Sequence, residues 1–485
     1  MKLKYLINNK KIKNHNVNIL GLSLDSREIK KNYIFFSKNI LNNQEKYILE
    51  AINNGAKLII YEGEILLNIE KYSKSCEFYI TNDIDKLMSN IVKKFYKIED
   101  KYSKIIGITG TNGKSSIAIY IAQLIKIKKE KCGVIGTLGN GVYPFLKDKR
   151  LTTPNILDIN KCISNFTKKN VKNIVIEASS HGIKQNRIKG LKFDTVIFTN
   201  LTRDHLDYHK SMNDYYNTKL KLFTEYPNKR KIVCIDCYYG KKIKKLFKSK
   251  NNIRTVSLVD NKADFYASNI VYSEKGISFI INSKYGKRKI ITNLYGEFSV
   301  TNILLSIASL AKNKSEYKFY ADNVINLKAA EGRMNMYFKK NYPPVFIDFS
   351  HTPDSIEKVL ISIRKHFPDN KIVTIFGCGG NRDKDKRKIM GKIASKLSDE
   401  IVITNDNPRN EDPKKISNDI ISGIRKDKKF KVILNRNLAI KKFINKDNSN
   451  KITLILGKGH EEFQIVKNKR INYSDKNEVL KNLKL

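Results

Sequence analysis

The chain has 485 residues, 41% of them hydrophobic, with Lys+Arg 93 against Asp+Glu 47 and a formal net charge of +46. That length suggests about three domains with ample cores, and the hydrophobic share is ordinary for a globular protein. The lysines are dispersed among Asn and Ile rather than gathered into one arm, which argues against a nucleic-acid footprint, although a diffuse basic field still attracts an anionic substrate.

Six cysteines (Cys76, Cys132, Cys162, Cys234, Cys237, Cys378) in so long a chain make no disulfide framework and fit a reducing cytosol. The N-terminus, Met1-Lys-Leu-Lys-Tyr-Leu-Ile, lacks an apolar signal core, and no apolar run reaches membrane length. A cytoplasmic monomer without nucleic acid or membrane span is expected.

The first unit opens with Leu22-Ser23-Leu24-Asp25-Ser26-Arg27, followed by a strand at Tyr33–Phe36. A helix over Tyr47–Asn54, ended by Gly55, precedes a second strand at Leu58–Tyr61. The polar stretch 97–104 reads as a linker. Beyond it, Ile105–Ile108 is a short buried strand, and Gly110-Thr111-Asn112-Gly113-Lys114-Ser115-Ser116 is a glycine-rich turn into a helix from Ile117 to Lys126. A strict Walker pattern misses this loop, because Ile108 stands where its first glycine belongs. The parts are nonetheless those of a nucleotide site. Backbone N–H groups and a helix N-terminus meet anionic oxygens, Lys114 reaches the outer phosphates, and Ser115 suits magnesium.

Strands and helices then alternate, as in an α/β domain with a mostly parallel sheet, where ligands gather beyond the strands' carboxyl ends. Asn173–Ile176 ends in Glu177 and Ala178-Ser179-Ser180-His181-Gly182; Thr195–Phe198 leads into Thr199-Asn200-Leu201-Thr202-Arg203-Asp204-His205. A carboxylate at such a strand end beside a phosphate loop holds the magnesium of bound ATP. His205 and His209 have zinc-ligand spacing, but Leu206 occupies the place of a metalloprotease glutamate. A hard-metal or phosphate role suits His205, and His209 reads as structural. Cys234-Ile-Asp-Cys237 has no second pair to complete a metal or redox site.

A third unit begins near Glu331-Gly332-Arg333-Met334. Four apolar strands there end in polar clusters: Asp348–Asp354, Gly377–Asp383, Asn405–Arg409 and Gly457–Glu461. Gly377-x-Gly379 is no dinucleotide fingerprint, since Arg382 takes the third glycine's place; an arginine there points to a carboxylate or phosphate.

In order and spacing, these clusters resemble the Mur ligases, ATP-dependent amide-forming enzymes of peptidoglycan precursor synthesis, over nearly the whole chain. The resemblance implies three α/β domains: a UDP-muramoyl-binding domain at 1–100, a central ATP-binding domain with a P-loop-like parallel sheet at 101–331, and a Rossmann-like amino-acid-binding domain at 332–485. It implies that Gly110–Ser116 bind ATP, with Lys114, Glu177, His205 and Lys219 as catalytic residues. Ser115, Glu177 and His205 would hold Mg2+, joined by Lys219 as a carbamate. By its residues alone, Lys219 reads as an exposed helix position, and only the resemblance singles it out. Leu24, Ser26, Thr152, Thr153, Ser179, Gln185 and Arg187 match positions that bind the UDP-muramoyl dipeptide.

Members of the family that add meso-diaminopimelate as the third stem residue carry Asp-Asn-Pro-Arg, here Asp406-Asn407-Pro408-Arg409. Lysine-adding members have lost the arginine. The resemblance places Arg382 and Arg409 on carboxylates, with Gly457 and Glu461 also at the amino acid. The implied reaction adds diaminopimelate through an acyl phosphate. The alternatives are a lysine-adding sibling, a nucleic-acid-stimulated ATPase, or a folded relative that binds precursors without joining them. The sequence departs from the family at Asn43, Gln44, Cys234, Ser299 and Asn335, away from the phosphate and metal positions.

Overall fold

Short β-branched runs form the strands and amphipathic runs the helices that cover them. A computed structural model describes all residues except 8–11, 13–14, 39–42, 65–68, 73–74, 100–103, 148–150, 249–251 and 468. Residues 100–103 of the linker, and with them the domain boundary at 100, lie outside the described residues. The chain divides into two units. One comprises Met1–Ile106, Lys131–Asp194 and Thr224–Asn228, and the other Gly107–Glu130, Thr195–Phe223 and Lys229–Leu485.

In the first unit, β1 (Gly21–Ser23), β2 (Tyr33–Ser37), β3 (Ala56–Tyr61) and β4 (Glu77–Ile80) make a parallel sheet in chain order. Successive side chains face opposite ways. Ile34, Phe36, Leu58 and Ile60 join Met88 and Ile91 of the helix Ile84–Phe95 in one core. Phe35 and Ile59 join Ile48 and Ala51 of the helix Gln44–Asn53 in the other. That helix begins earlier than Tyr47 and gives way to Gly55 at φ +93°. β5 (Lys104–Thr109) starts in this unit and ends in the second. The first unit also holds β6 (Cys132–Gly136), β7 (Gly139–Val142), β8 (Phe145–Lys147) and β9 (Asn173–Glu177), ordered β9-β6-β7-β8, with β6 and β9 parallel.

β10 (Phe193–Phe198) likewise passes into the second unit, where β11 (Asn228–Cys234) and β12 (Ile253–Ser257) continue in parallel. β13 (Phe265–Ser273), β14 (Gly276–Ser283) and β15 (Gly286–Thr292) then form antiparallel ladders. This extension departs from the parallel alternation expected of the central region. β13 buries Phe265 and Ala267 but leaves alternate residues toward water, which parallel strands covered on both faces do not do.

The last sheet runs in the order β16 (Asn335–Tyr337), β17 (Val345–Asp348), β21 (Lys451–Leu456), β18 (Lys371–Phe376), β19 (Glu400–Ile403), β20 (Phe430–Val432). Only the pair β16–β17 is antiparallel. The ends of β17, β21, β18 and β19 therefore share one edge, and all four polar clusters lie along it. A hairpin of β22 (Phe463–Val466) and β23 (Lys469–Asn472) follows. The helices Pro353–His366, Asp385–Leu397 and Pro413–Ile421 cover one face, and Arg436–Phe443 with Asp475–Leu483 the other.

A fully buried ion pair ties that edge together. Arg436 donates Nε to Asp475 Oδ1 at 2.7 Å and Nη2 to Oδ2 at 2.8 Å. It also donates to the carbonyls of Leu456, at 3.0 Å, and Asn405, at 3.3 Å, just beyond β19. Removing one partner leaves a buried charge, which costs about 3–5 kcal/mol, whereas an apolar pair of similar volume is nearly neutral. Urea unfolding should show Asp475→Ala destabilised by about that amount and Arg436→Met/Asp475→Leu far less; equal losses would refute this account.

Candidate active site

The phosphate loop adopts a backbone that only glycine holds easily. Gly110 has φ +149° and Gly113, which caps the helix Lys114–Ile127, has φ +91°. A Cβ on Gly110 would lie 1.8 Å from Thr199 Oγ1, and one on Gly113 2.7 Å from Asn302 Oδ1. The segment after β10 braces the loop. Thr111 N donates to Asn200 O at 2.9 Å, Asn112 N to Asn200 Oδ1 at 3.0 Å, and Thr199 Oγ1 to Asn112 O at 2.6 Å.

Two lysines converge on this loop. Lys114 Nζ donates to the carbonyls of Gly110 and Thr111 at 3.0 and 2.8 Å. Lys219 Nζ, from the helix Met212–Thr224, donates to the same Gly110 oxygen at 2.8 Å and lies 4.5 Å from the Tyr215 ring centre. Lys219 is 1% exposed, which corrects its reading as a surface position. Burial, and then the charge of Lys114, hold its pKa well below the ordinary lysine value.

His205 has φ +54° and sets Nε2 3.5 Å from Asp204 Oδ2. Burial works to raise the Asp204 carboxyl, but His205, His351 and Lys386 together hold it low. His351 lies beyond β17, and Lys386 donates to its carbonyl at 3.1 Å. Asn112 Nδ2 donates to Asp354 Oδ2 at 3.1 Å, so the loop also meets the start of the helix Pro353–His366. His209 is buried and packs on Tyr215 at 4.8 Å, in keeping with a structural role.

In the other unit, Glu177 ends β9 and is 1% exposed; its carboxylate accepts from Thr137 N at 2.9 Å and Thr137 Oγ1 at 3.1 Å. Thr153 is the hub of the surrounding cluster. Its hydroxyl donates to Glu177 O at 2.7 Å and lies 2.9 Å from Ser179 Oγ, while its carbonyl accepts from Arg187 Nη1 at 2.7 Å. Arg187 also donates to Gln185 Oε1, and Thr137 Oγ1 lies 3.0 Å from the Thr152 hydroxyl. Five of the seven predicted dipeptide-binding residues thus share one network. Leu24 and Ser26 lie just past β1, where Ser26 Oγ donates to Glu50 Oε2 at 2.5 Å.

Beyond β18 and β19, Arg409 takes φ +52° and donates Nη1 to Gly380 O at 2.7 Å. Burial, then the neighbouring Arg382, lower its pKa. Arg382 is 57% exposed, with Nη1 3.8 Å from Asp207 Oδ2. Gly457, at φ +111°, brings its backbone so close to Asp406 that a Cβ would lie 2.6 Å from Oδ2. Pro408 O sits 2.0 Å from the place of a Cβ on Gly380, so the two loops pack backbone to backbone. Glu461 Oε2 accepts from Asn407 Nδ2 at 2.9 Å and from the buried Lys458 at 2.8 Å.

The profile of the Mur ligase middle domain matches residues 108–310, and that of the Mur ligase glutamate ligase domain matches 332–459. A UDP-N-acetylmuramoyl-L-alanyl-D-glutamate–2,6-diaminopimelate ligase from Wigglesworthia glossinidia brevipalpis is 39% identical, covering 95% of this chain and 94% of its own. This chain belongs to the Mur ligase family. A ligase of the same description from Clostridium botulinum is 35% identical over 97% of this chain and 96% of its own. A solved structure of such a ligase superimposes with a TM-score of 0.71 at 28% identity, covering 100% of this chain and 99% of the other.

The departures from the Mur ligase pattern sit in local bonding. Gln44 is buried and donates to the carbonyls of Ser37 and Glu62. Ser299 Oγ donates to Tyr295 O, and Asn335 Oδ1 accepts from Gly332 N. Cys234 is buried, its thiol pushed up to about 12, and Cys237 caps the helix Tyr238–Leu246; both are free thiols. Sequence reasoning missed Asn302, and named Asp354 and Lys458 only as members of strand-end clusters. Only the clash behind Gly113 gives Asn302 a part in shaping the loop. Among the described residues, no group of three or more His, Cys, Asp or Glu could hold a metal, and no helix is long and apolar enough to cross a membrane.

Because burial lowers the Lys219 pKa on folding, the wild type gains stability relative to Lys219→Met as pH rises from the lowered folded pKa toward about 10.4. The slope is up to ~1.4 kcal/mol per pH unit. Denaturant titrations in CO2-free buffer check this; a gap constant with pH would refute it.

Proposed function

We propose that this chain is the ligase that joins meso-diaminopimelate to UDP-N-acetylmuramoyl-L-alanyl-D-glutamate, using ATP, in the cytoplasm. The observation that carries this reading is the paired Arg382 and Arg409 at the sheet edge, with Asp406-Asn407-Pro408-Arg409 intact. Diaminopimelate has a distal carboxylate that lysine lacks, and a guanidinium binds it in two-pronged fashion. A half-buried arginine left without that partner penalises lysine. The names of the full-length relatives point the same way. The three domains, 1–100, 101–331 and 332–485, would bring the dipeptide, ATP and the amino acid respectively.

In this reading Gly110–Ser116 hold the triphosphate, with Thr111, Asn112 and Ser116 contributing beside the glycines. The γ-phosphoryl group passes to an oxygen of the D-glutamate carboxylate, and ADP leaves. The amine nitrogen then attacks the acyl carbon, and the tetrahedral intermediate expels phosphate as the nitrogen loses its proton. Lys114 counters charge on the transferring group. Thr152, Thr153, Ser179, Gln185 and Arg187, with Leu24 and Ser26, bind the UDP-muramoyl dipeptide. Arg382, Arg409, Asn407 and Gly457 receive the amino acid, with Glu461 near its ammonium.

Under this reading Ser115 and Glu177 would each offer a hard oxygen of the kind magnesium prefers. With His205 as a further proposed ligand, the ion would offset phosphate charge. A protonated Lys219 would repel it, but the buried amine, depleted of its proton, can add CO2 and present a carbamate oxygen.

Phosphate release should require UDP-muramoyl dipeptide and diaminopimelate together. Release driven by single-stranded DNA alone would eliminate the ligase reading. Arg409→Lys should lower kcat/KM for diaminopimelate by about 10²-fold and reduce the preference over lysine, since an ammonium lacks the planar fork. Equal turnover of lysine and diaminopimelate by the wild type would remove the role given to Arg409.

A further inference from the structure

Behind the two arginines of the amino-acid site lies a third that touches neither. Arg387, in the first turn of the helix Asp385–Leu397, is 1% exposed. Its guanidinium grips Glu411 with both arms, Nη1 to Oε2 at 2.9 Å and Nη2 to Oε1 at 3.0 Å. Nη1 also donates to Asp419 Oδ2 at 2.9 Å, and Nη2 to the Gly379 carbonyl at 3.3 Å. Arginine is an odd choice there as a stabiliser. The positive end of a helix dipole disfavours a cation, and a buried ion pair seldom outperforms apolar packing.

What the group does is geometric. Glu411 Oε1 accepts from the backbone N–H of Asn381, next to Arg382. Glu411 N donates to Pro408 O at 3.1 Å, closing the turn that carries Arg409. Asn410 N donates to Asn381 Oδ1 at 3.1 Å, and Gly380 N to Asn407 O at 2.9 Å. The loop bearing Arg382 and the loop bearing Arg409 are therefore stitched along their length, with Glu411 as the joint and Arg387 as its buried anchor. Asn381 and Arg409 both sit at φ +52°, a conformation that costs energy in side-chain-bearing residues and persists only when neighbours impose it.

We propose that Arg387, acting through Glu411, is a positioning residue for the amino-acid substrate: it sets the spacing and direction of the Arg382 and Arg409 guanidiniums and so the length of diacid the site accepts. This rests on the diaminopimelate reading above. The pair touches no phosphate-loop residue, so its effect is confined to the added amine. Glu411→Gln keeps the shape but turns an N–H2 group toward Arg387 or the Asn381 N–H, while Asp419 remains to neutralise the arginine. Asp419→Asn removes the other carboxylate, which bonds to neither loop.

Full-length Glu411→Gln should show KM for diaminopimelate raised about tenfold or more, with kcat within about threefold and KM for ATP and UDP-muramoyl dipeptide unchanged. Asp419→Asn should keep the wild-type KM for all three substrates. A rise below about threefold in Glu411→Gln, or an equal rise in both variants, overturns the positioning role. A wild type that releases no phosphate with diaminopimelate overturns the functional reading and this inference with it, whereas an active wild type beside an unaltered Glu411→Gln overturns this inference alone.

Discussion

Two lysine side chains end on one peptide oxygen, the carbonyl of Gly110, and the phosphate loop is arranged around that meeting. The amines lie within about 6 Å of each other, Lys219 buried and Lys114 partly exposed. At an effective dielectric near 20, two full charges at that separation repel by about 3 kcal/mol, before any desolvation cost. That repulsion favours loss of a proton from one of them. Burial, and then the charge of Lys114, lower the pKa of Lys219. Two residues of the same type thus meet one carbonyl oxygen and differ in burial.

The loop's two glycines are held because neighbouring elements fill the space a Cβ would take. Thr199 stands against Gly110, Asn302 against Gly113, and Asn200 takes two of the loop's amide bonds. These braces come from the end of β10 and from the helix Glu297–Leu310.

The last sheet applies the same economy with different chemistry. Parallel strands buried on both faces put all their functional side chains at one edge. Polar loops at that edge need internal fixing, because they carry few apolar side chains to pack. Two buried arginines supply it. Arg436 with Asp475 secures the ends of β19 and β21, and Arg387 with Glu411 joins the loops beyond β18 and β19. Each satisfies backbone carbonyls as well as a carboxylate, so charge burial is repaid by hydrogen bonds that fix loop geometry.

The glycine turn before a helix, the strand-end clusters from Asp348 to Glu461, the carboxylate ending β9 and the intact Asp-Asn-Pro-Arg segment were all legible from residue order. They express local rules: φ available only to glycine, a period of two in strands, and polar residues where strands stop. The antiparallel strands β13 to β15 escaped notice because their mixed alternation resembles surface turns. Likewise, nothing local distinguishes Lys219, Arg387 or Arg436 from the many solvated lysines and arginines of so basic a chain. Whether such a residue is buried depends on what packs over it, and Gly110 lies 109 residues from Lys219 in sequence. By itself, then, the sequence determined which chemical groups stand at the strand ends. Only the tertiary structure decided which charges are dry, because desolvation is a property of the packed surroundings and not of the residue.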